Sequence, residues 1–595
     1  MTDSTQTPKR FCLVFIKPSH YDDDGYVIQW LRSGMPSNSL AVLYGLAKEC
    51  AEQKVLGDDV EIDIHAYDET NTRIRPARIA SMINAAGAGM VMLVGVQSNQ
   101  FPRALDIAAP LRQFGIMVGI GGFHASGTIA MLGALDPDVR RAQEMGVSIF
   151  AGEAEGRLGQ VLLDAKNGTL QPLYNFMDDL PNLEGAATPI LPIERVKRTI
   201  GTNTTFDAGR GCPYQCSFCT IINVQGRKSR RRSADDIERI VRANLAQGAH
   251  SFFITDDNFA RNKDWEPILD RLIHLREVEK LPIKFVIQVD TLCHKIPNFI
   301  EKSARAGVKR IFIGLENINP DALAGAKKRQ NKITEYRDML LKWKQVGVLT
   351  CCGYILGFPG DTEESILHDV RIIQKELPID LLEFFILTPL PGSEDHQKLY
   401  NAGVAMDPDM NKYDVNHVTT AHPKMSAAEW EHAFQSAWRT YYSFEHVEKV
   451  LRRAIVTKVS PGKALFYMVW FKGCMGVEKI HPLEGGILRL KFRRDRRPGL
   501  PLESTLLFYP KYWVGTAAKA VNWAALYTRM YLIYQKIKRD PARMAYTDLA
   551  LTPVADDEVN TRELFQSDEA QAYVAIQQRF VRIQQGTQAP VNVPQ

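Results

Sequence analysis

Short apolar runs alternate with amphipathic helical patterns over the first 170 residues, and this alternation limits the fold more than any other feature of the chain. The segments between the runs, such as residues 39–52 and 104–114, carry apolar residues at helical spacing. Alternating strands and helices predict an α/β domain over residues 10–170, a doubly wound parallel sheet of the Rossmann or flavodoxin-like type. The predicted strands are residues 11–17, 60–67, 90–96, 116–122 and 147–152.

A second series of strand and helix patterns follows a proline-rich connector, residues 180–192. Six parallel strand–helix units predict a partial (β/α)6 barrel over residues 198–425, with its active site at the carboxyl ends of the strands. The six predicted strands are residues 204–208, 251–256, 284–290, 310–316, 350–358 and 381–387.

The other segments are assigned by their residue patterns. Residues 171–197 are predicted to link the two α/β units. After residue 424 the pattern becomes helical, most clearly at residues 427–442 and 517–538, so we expect a helical C-terminal region over residues 426–555. Residues 556–595 are polar and end in proline and glutamine, which predicts a partly disordered tail.

Three cysteines, Cys212, Cys216 and Cys219, follow the first predicted barrel strand with the spacing C-x3-C-x2-C. Three thiolates can hold a four-iron, four-sulfur (4Fe-4S) cluster and leave one iron without a protein ligand. An iron with an open position can bind a small molecule and pass it an electron, whereas a cluster with four cysteine ligands mainly transfers electrons. The cysteine loop therefore predicts an enzyme.

Two other interpretations of the three cysteines fit this sequence less well. A structural zinc site usually joins a C-x2-C pair to a second pair at a distance, and neither such a pair nor an H-x3-H element follows in the sequence. The second interpretation is that the three side chains only pack in a core, as most free cysteines do.

The amino-acid composition and net charge of the chain limit the classes of function that it can have. The 595 residues are too many for one core, and 45% hydrophobic with 24% charged residues is ordinary for a globular protein. A net charge of +5 gives no reason to expect a nucleic-acid partner. Nine cysteines, an odd number, and a polar segment at residues 1–10 favour a cytoplasmic location. No apolar run is long enough to cross a bilayer.

In their order and spacing, these motifs resemble those of the cobalamin-binding radical S-adenosylmethionine (SAM) enzymes, in which a doubly wound cobalamin domain precedes a six-unit partial barrel. The resemblance covers about residues 11–442. It implies that Cys212, Cys216 and Cys219 are the metal ligands and catalytic residues that hold the 4Fe-4S cluster. It also implies that SAM binds the fourth iron through its amino and carboxylate groups.

The resemblance further implies a set of SAM contacts near the cysteines. Tyr214 and Phe218 would pack near the adenine. Asp256, Asp257 and Asn258, which end the second barrel strand, would contact the amino group, since a carboxylate is attracted to an ammonium ion. The alternative is that these Asp and Asn residues form a turn and cap the next helix, which is a common use of both.

Contacts to the rest of SAM are implied at the ends of later strands. Gln288 and Asp290 on the third strand and Glu316 on the fourth would contact the ribose and methionine parts. Gly357, in the fifth-strand motif of residues 353–360, would let the backbone approach the adenine. A tight strand-to-helix turn explains the glycines and proline of that motif equally well.

The first domain departs from one cobalamin pattern, because it contains no Asp-x-His-x-x-Gly sequence. That motif places a histidine beneath the cobalt. The resemblance then implies cobalamin bound with its own base displaced and without a histidine ligand. His124, in residues 121–127, is expected either at the edge of the corrin ring or in a purely structural role.

The resemblance leaves more than one activity open. The leading hypothesis is methylation of an unactivated carbon, in which SAM is both the source of the 5′-deoxyadenosyl radical and the methyl donor. A second is an oxidative cyclisation or rearrangement, as in the ring closure of a magnesium porphyrin. A third, from another class, is a non-catalytic cobalamin-binding regulator. A flavodoxin or ferredoxin is the expected electron donor for the first two.

Aromatic and basic residues are interleaved near the C-terminus, where six aromatic side chains of residues 511–538 alternate with Lys519, Arg529 and Lys536. Residues 489–497 are also rich in Lys and Arg. Such a helix can lie on a membrane surface, which would favour peripheral membrane contact and a lipid-like substrate. It can also pack its aromatic rings into a core. In that case the substrate would be a small molecule, and the pattern would not indicate its polarity.

Overall fold

The computed structural model describes residues 9–132, 135–328 and 330–552. The strands of its N-terminal part are β1 (Lys9–Lys17), β2 (Gln29–Ser33), β3 (Val60–Asp68), β4 (Gly87–Leu93), β5 (Met117–Gly121), β6 (Ser148–Ala151) and β7 (Leu173–Asn175). The helices are α1 (Asn38–Glu52), α2 (Pro76–Ala86), α3 (Phe101–Gln113), α4 (Phe123–Met131), α5 (Pro137–Glu144) and α6 (Leu158–Asn167).

Six of these strands form one parallel sheet in the order β3-β1-β4-β5-β6-β7. Residues 11–16 of the interior strand β1 are all buried, because helices cover both faces of the sheet. The buried side chains on the two faces form two separate hydrophobic clusters. The strand order reverses beside β1, so the carboxyl ends of β1 and β4 flank the crevice where this fold binds ligands.

The second sheet has six parallel strands that follow one another in chain order, so the first and the last of them are the edge strands. Its strands are β8 (Asn203–Phe206), β11 (Ser251–Ile254), β12 (Lys284–Val289), β13 (Val308–Glu316), β14 (Leu349–Leu356) and β15 (Leu381–Ile386). A small ribbon between the first two is formed by β9 (Gly209–Arg210) and β10 (Arg230–Arg231). The helices are α7 (Ile193–Val196), α8 (Ile221–Val224), α9 (Ala234–Ala246), α10 (Trp265–Ile273), α11 (Phe299–Ala306), α12 (Pro320–Gly325), α13 (Tyr336–Gln345), α14 (Glu363–Glu376) and α15 (Glu394–Asn401).

The C-terminal region is mainly helical and packs on the barrel. Its elements are α16 (Ala427–Tyr441), α17 (Phe444–Val456), α18 (Pro461–Gly473), β16 (Gly486–Leu490) and α19 (Thr505–Arg539). Buried side chains of the first three helices belong to the same hydrophobic cluster as the barrel strands. The strand β16 pairs antiparallel with β2, which joins this region to the N-terminal domain.

The predicted fold class is confirmed: a doubly wound parallel sheet precedes a partial barrel and a helical C-terminal region. The predicted domain boundaries stay predictions, and two strands bear on them. β7 lies within the predicted linker, residues 171–197, and β16 lies within the region predicted to be helical. The helix predicted at residues 517–538 begins earlier, at Thr505. The predicted tail, residues 556–595, lies outside the described residues.

Candidate active site at the barrel mouth

The cysteine loop follows β8 and connects the two strands of the ribbon, β9 and β10. The Cys212 amide donates a hydrogen bond to the Gly226 carbonyl at 3.2 Å, which closes the loop at its base. Gly211 has a φ of +91°, and a Cβ there would lie 2.5 Å from the carbonyl oxygen of Lys228. Only glycine fits this position, so the backbone fixes the point at which the first cysteine leaves the ribbon.

The three thiols are free, with Cys216 buried and Cys212 and Cys219 half-buried. Burial raises the pKa of Cys212, and it raises the pKa of Cys219 to about 12. In a metal-free loop these thiols would therefore stay protonated at neutral pH. A bound metal reverses this preference because it deprotonates its thiol ligands outright, so the donor set suits a metal cluster.

The spacing of the three sulfurs distinguishes a single zinc ion from a larger cluster. In the described part of the chain, the groups of three or more ligand atoms that lie within 4.8 Å of one another do not include these cysteines. A zinc ion about 2.3 Å from each sulfur would hold the sulfurs within about 3.8 Å of one another. The three sulfurs are therefore not arranged around a single zinc ion.

Asp256 and Asp257 bind backbone amides of the segment that leads to the cysteines. Oδ1 of Asp256 accepts hydrogen bonds from the amides of Ala208 and Gly209 at 2.6 and 2.7 Å. Asp257 Oδ2 accepts from the Gly211 amide at 3.0 Å. Burial raises the pKa of Asp256 to about 7 and that of Asp257 to about 6. This geometry favours the turn interpretation for Asp256 over contact with an ammonium group.

Asp290 lies at the centre of a buried network that also holds Tyr214 and Asn258. Its carboxylate accepts from the Tyr214 hydroxyl and from Asn258 Nδ2, each at 2.9 Å, and it forms an ion pair with Arg261. Burial alone would raise the pKa of Asp290, but these hydrogen bonds and the Arg261 charge lower it. Oδ1 of Asn258 is buried without a hydrogen-bond partner among the described residues, so it is available to a ligand.

Glu316 ends β13 with a φ of +64°, an uncommon backbone conformation for a residue other than glycine. It forms an ion pair with Lys328, which is buried. Burial alone would lower the pKa of Lys328, but Glu316, Cys216 and Cys219 raise it. The Lys328 Nζ lies 5.8 Å from the centre of the half-buried Phe218 ring. The structure thus places a cation beside the cysteine loop, a feature that the sequence did not predict.

Gln288 and Gly357 occupy positions that are largely explained by packing. Gln288 Nε2 donates to the backbone carbonyl of Asp256 at 3.3 Å, which ties the second barrel strand to the third. The amides of Gly357 and Phe358 both donate to Asp361 Oδ2, at 2.8 and 2.9 Å. These bonds favour the tight-turn interpretation of the fifth-strand motif.

Replacing Gly357 with alanine is expected to lower the free energy of unfolding by about 1–3 kcal/mol through overpacking. A Cβ there would lie 2.0 Å from the Trp430 ring, and the φ of +97° disfavours alanine. Gly360→Ala is the matched control, because a Cβ at Gly360 meets no heavy atom within 4 Å. Denaturant titration compares the two, and equal stabilities would contradict the packing role of Gly357.

The carboxyl edge of the N-terminal sheet carries two buried polar atoms without a hydrogen-bond partner among the described residues, Nδ1 of His20 and Oδ1 of Asn99. Nε2 of His124 lies 3.8 Å from Oδ1 of Asp136. His20 Nε2 lies 2.8 Å from Glu484 of the C-terminal region. His124 is fully buried, and its ring packs against Phe101 with 4.3 Å between ring centres. This burial favours the structural interpretation of His124.

Arg210 joins the two α/β domains immediately before the cysteine loop. Its guanidinium donates to Glu153 and Glu155, each at 2.6 Å, and to Asp207 at 3.1 Å. The two glutamates follow β6 at the carboxyl edge of the N-terminal sheet, whereas Asp207 and Arg210 follow β8. All four side chains are buried. This cluster fixes the edge of the N-terminal sheet beside the cysteines.

The family model of the radical SAM superfamily matches residues 207–373, which include all three cysteines. One relative is the bacteriochlorophyllide d C-8(2)-methyltransferase of Chlorobaculum tepidum, 24% identical over 375 residues that cover 60% of this chain and 78% of that protein. Another is the hopanoid C-2 methylase of Rhodopseudomonas palustris, 26% identical over 258 residues that cover 42% of this chain and 47% of that protein.

A solved structure extends the likeness over nearly the whole chain. It is the cobalamin-dependent S-adenosylmethionine radical enzyme OxsB with aqua-cobalamin bound, which superposes with a TM-score of 0.50 at 13% sequence identity. The match covers 96% of this chain and 84% of that chain. At this identity the likeness shows a common fold, which extends over the N-terminal sheet, the barrel and the C-terminal region.

Proposed function

We propose that this chain is a cobalamin-dependent radical SAM methyltransferase that transfers a methyl group from SAM to an unactivated carbon, since its residues 207–373 match the model of the radical SAM superfamily. The observation that carries this proposal is the position of the cysteine loop. The loop leaves the barrel mouth beside the carboxyl edge of the N-terminal sheet, and the Arg210 cluster holds the two together. Two relatives over long stretches of the chain are methylating enzymes by name.

The residues at the two edges fit the cofactors that this proposal requires. Cys212, Cys216 and Cys219 would hold the 4Fe-4S cluster, and the unpaired atoms of His20 and Asn99 would bind polar groups of cobalamin. When bound, the cluster supplies the electron that cleaves SAM, and cobalamin carries the methyl group. No histidine ligand to cobalt is proposed.

Side chains of the barrel have assignable roles in this proposal. Lys328 places a positive charge beside the thiolates and offsets their negative charge. Asn258 Oδ1 can accept a hydrogen bond from the SAM ammonium group, while Asp290 and Arg261 hold Tyr214 in place. Phe218 packs with Ala326 in a small apolar cluster that can receive an adenine face. Asp257, Gln288 and Glu316 remain proposed contacts to SAM.

The partners proposed are a small-molecule substrate and a flavodoxin or ferredoxin as electron donor, without nucleic acid. The names of the relatives suggest two substrate classes to test first, a bacteriochlorophyllide and a hopanoid. Both are large, mostly apolar molecules, which agrees with the aromatic C-terminal region.

Transfer of an isotopic label tests the proposed reaction. Reconstituted, reduced protein with bound cobalamin is incubated anaerobically with methyl-labelled SAM and each candidate substrate, and the product is analysed by mass spectrometry. The label is expected in the product, together with 5′-deoxyadenosine. A substrate that is altered without gaining the label would contradict methylation and indicate a cyclisation or rearrangement instead.

A further inference from the structure

The long helix α19 presents apolar side chains to solvent on the side opposite to its packed side. It packs through Phe508, Met530 and Ile537, which are its buried residues. Residues that are seven or eleven positions apart lie on the same side of a helix. This spacing places five apolar residues of α19 on one side: Leu506, Trp513, Val514, Val521 and Leu532. The exposed fractions are 84% for Leu506, 63% for Trp513, 70% for Val514, 67% for Val521 and 62% for Leu532.

An apolar groove lies next to this exposed stripe. Its volume is about 1090 Å³, and it is bounded by α18, α19 and β16. Phe466, Leu488 and Tyr527 line the groove and are also about half exposed. Tyr527 lies on α19, as the stripe residues do, so this helix carries both the stripe and one wall of the groove. We call the groove and the stripe, together with the basic residues of α19, the α19 surface. Single exposed apolar residues are common, but a group of this size on one helix marks an interaction site.

The helix α19 is much more basic than the chain as a whole. Its 35 residues include no acidic residue and six basic ones: Lys511, Lys519, Arg529, Lys536, Lys538 and Arg539. The helix therefore carries a formal charge of +6, whereas all 595 residues together carry +5. Ion pairs with glutamates of neighbouring elements offset part of this charge, at Lys511, Lys519 and Lys536. Residues 491–497 just before it add five basic residues against one acidic residue.

We propose that the α19 surface seats the protein on an anionic lipid bilayer. Apolar and aromatic side chains flanked by Lys and Arg suit the boundary between acyl chains and anionic headgroups. A second copy of the chain is a poorer partner, because a symmetric contact would bring two helices of charge +6 together. Among the described residues, no helix is long and apolar enough to span a membrane.

Vesicle binding tests the proposal without requiring activity. Full-length protein is sedimented with phosphatidylcholine vesicles and with vesicles that also contain phosphatidylglycerol. The bound fraction is expected to be about tenfold or more higher on the anionic vesicles and to fall at high salt, since each basic residue near the surface adds to the attraction. Protein that stays in the supernatant with both vesicle types would overturn the proposal.

Substitutions locate the contact. The triple variant Trp513→Ser, Val514→Ser, Val521→Ser is expected to lose about tenfold or more of the binding, because it removes three apolar side chains from the stripe. Val278→Ser is the matched control, since Val278 is 65% exposed and lies outside the α19 surface. Binding that is equal in the triple variant and the control would contradict the proposal.

Two further measurements separate the bilayer from other partners. Brominated lipids are expected to quench tryptophan fluorescence of the unaltered protein, and less so in a Trp513→Phe variant. Equal quenching in both proteins would contradict contact at α19. Size-exclusion chromatography without lipid is expected to give the same elution volume for the unaltered protein and the triple variant. A stable dimer of the unaltered protein that is absent from the triple variant would contradict the proposal, because it would show that the α19 surface binds a second copy of the chain.

Discussion

Replacing Cys216 with alanine is expected to lower the rate of reductive SAM cleavage by more than about 100-fold, the upper end of the loss caused by removing an outer-shell partner of a metal site. The thiol is buried in the loop between β9 and β10, so water cannot readily take its place as a ligand. The cluster would lose one of its three protein ligands. The measurement is 5′-deoxyadenosine produced by reduced protein under anaerobic conditions.

Cys50→Ala provides the matched control, because Cys50 is also buried but lies on α1, in a hydrophobic cluster of the N-terminal domain. This control should bind as much iron as the unaltered protein and cleave SAM at a similar rate. Unchanged cleavage by the Cys216→Ala protein would contradict the assignment of the cysteine loop.

Replacing Arg210 with methionine is expected to lower the free energy of unfolding by about 3–5 kcal/mol, the usual effect of removing one partner of a buried ion pair. Glu155 would be left buried without a cation, whereas Glu153 would keep its ion pair with Arg230 and Asp207 would keep Arg232. The loss of a cation at the domain contact should also loosen the N-terminal sheet from the barrel. Denaturant unfolding followed by tryptophan fluorescence measures the change.

An arginine that forms ion pairs at the protein surface provides the control for this prediction. Arg242 binds Glu238 and Glu279 at the surface of α9, and Arg242→Met is expected to leave the free energy of unfolding nearly unchanged, because exposed ion pairs contribute little to stability. Adding Glu155→Gln to the Arg210→Met protein should recover part of the stability, since the uncompensated charge is removed. Equal losses in Arg210→Met and Arg242→Met would contradict the role of the buried cluster.

The barrel strands could be predicted because buried parallel strands are continuous apolar runs, a property of the local sequence. All eight residues of β14, for example, are buried. The strand β16 has no such run, since two of its five residues are exposed. Its pairing partner is β2, which lies more than 450 positions earlier in the chain. Strands of this kind depend on a distant partner, and the local pattern does not indicate them.

The candidate site also has features that the local sequence predicts and features that only the folded chain shows. The cysteine spacing is local, so the loop was recognisable from the sequence alone. The hydrogen bonds of Asp256 to the amides of Ala208 and Gly209 join residues almost fifty positions apart, and only the folded barrel brings them together. Lys328 belongs to a short basic run, and its burial beside Cys216 and Cys219 has no signature in that run.

The contact between the two domains could not be predicted from the sequence either. Glu153 and Glu155 lie in the first predicted domain and Arg210 lies in the second, so each looks like an ordinary loop residue. Their contact requires the carboxyl edges of both sheets to meet, and this depends on how the domains pack.

Mössbauer spectroscopy of protein reconstituted with isotopically enriched iron tests the central claim most directly, namely that three cysteines leave one iron of a 4Fe-4S cluster open to SAM. Adding SAM is expected to change the signal of one iron of the four and leave the other three unchanged. A spectrum that does not respond to SAM, or protein that assembles no iron–sulfur cluster at all, would contradict the account.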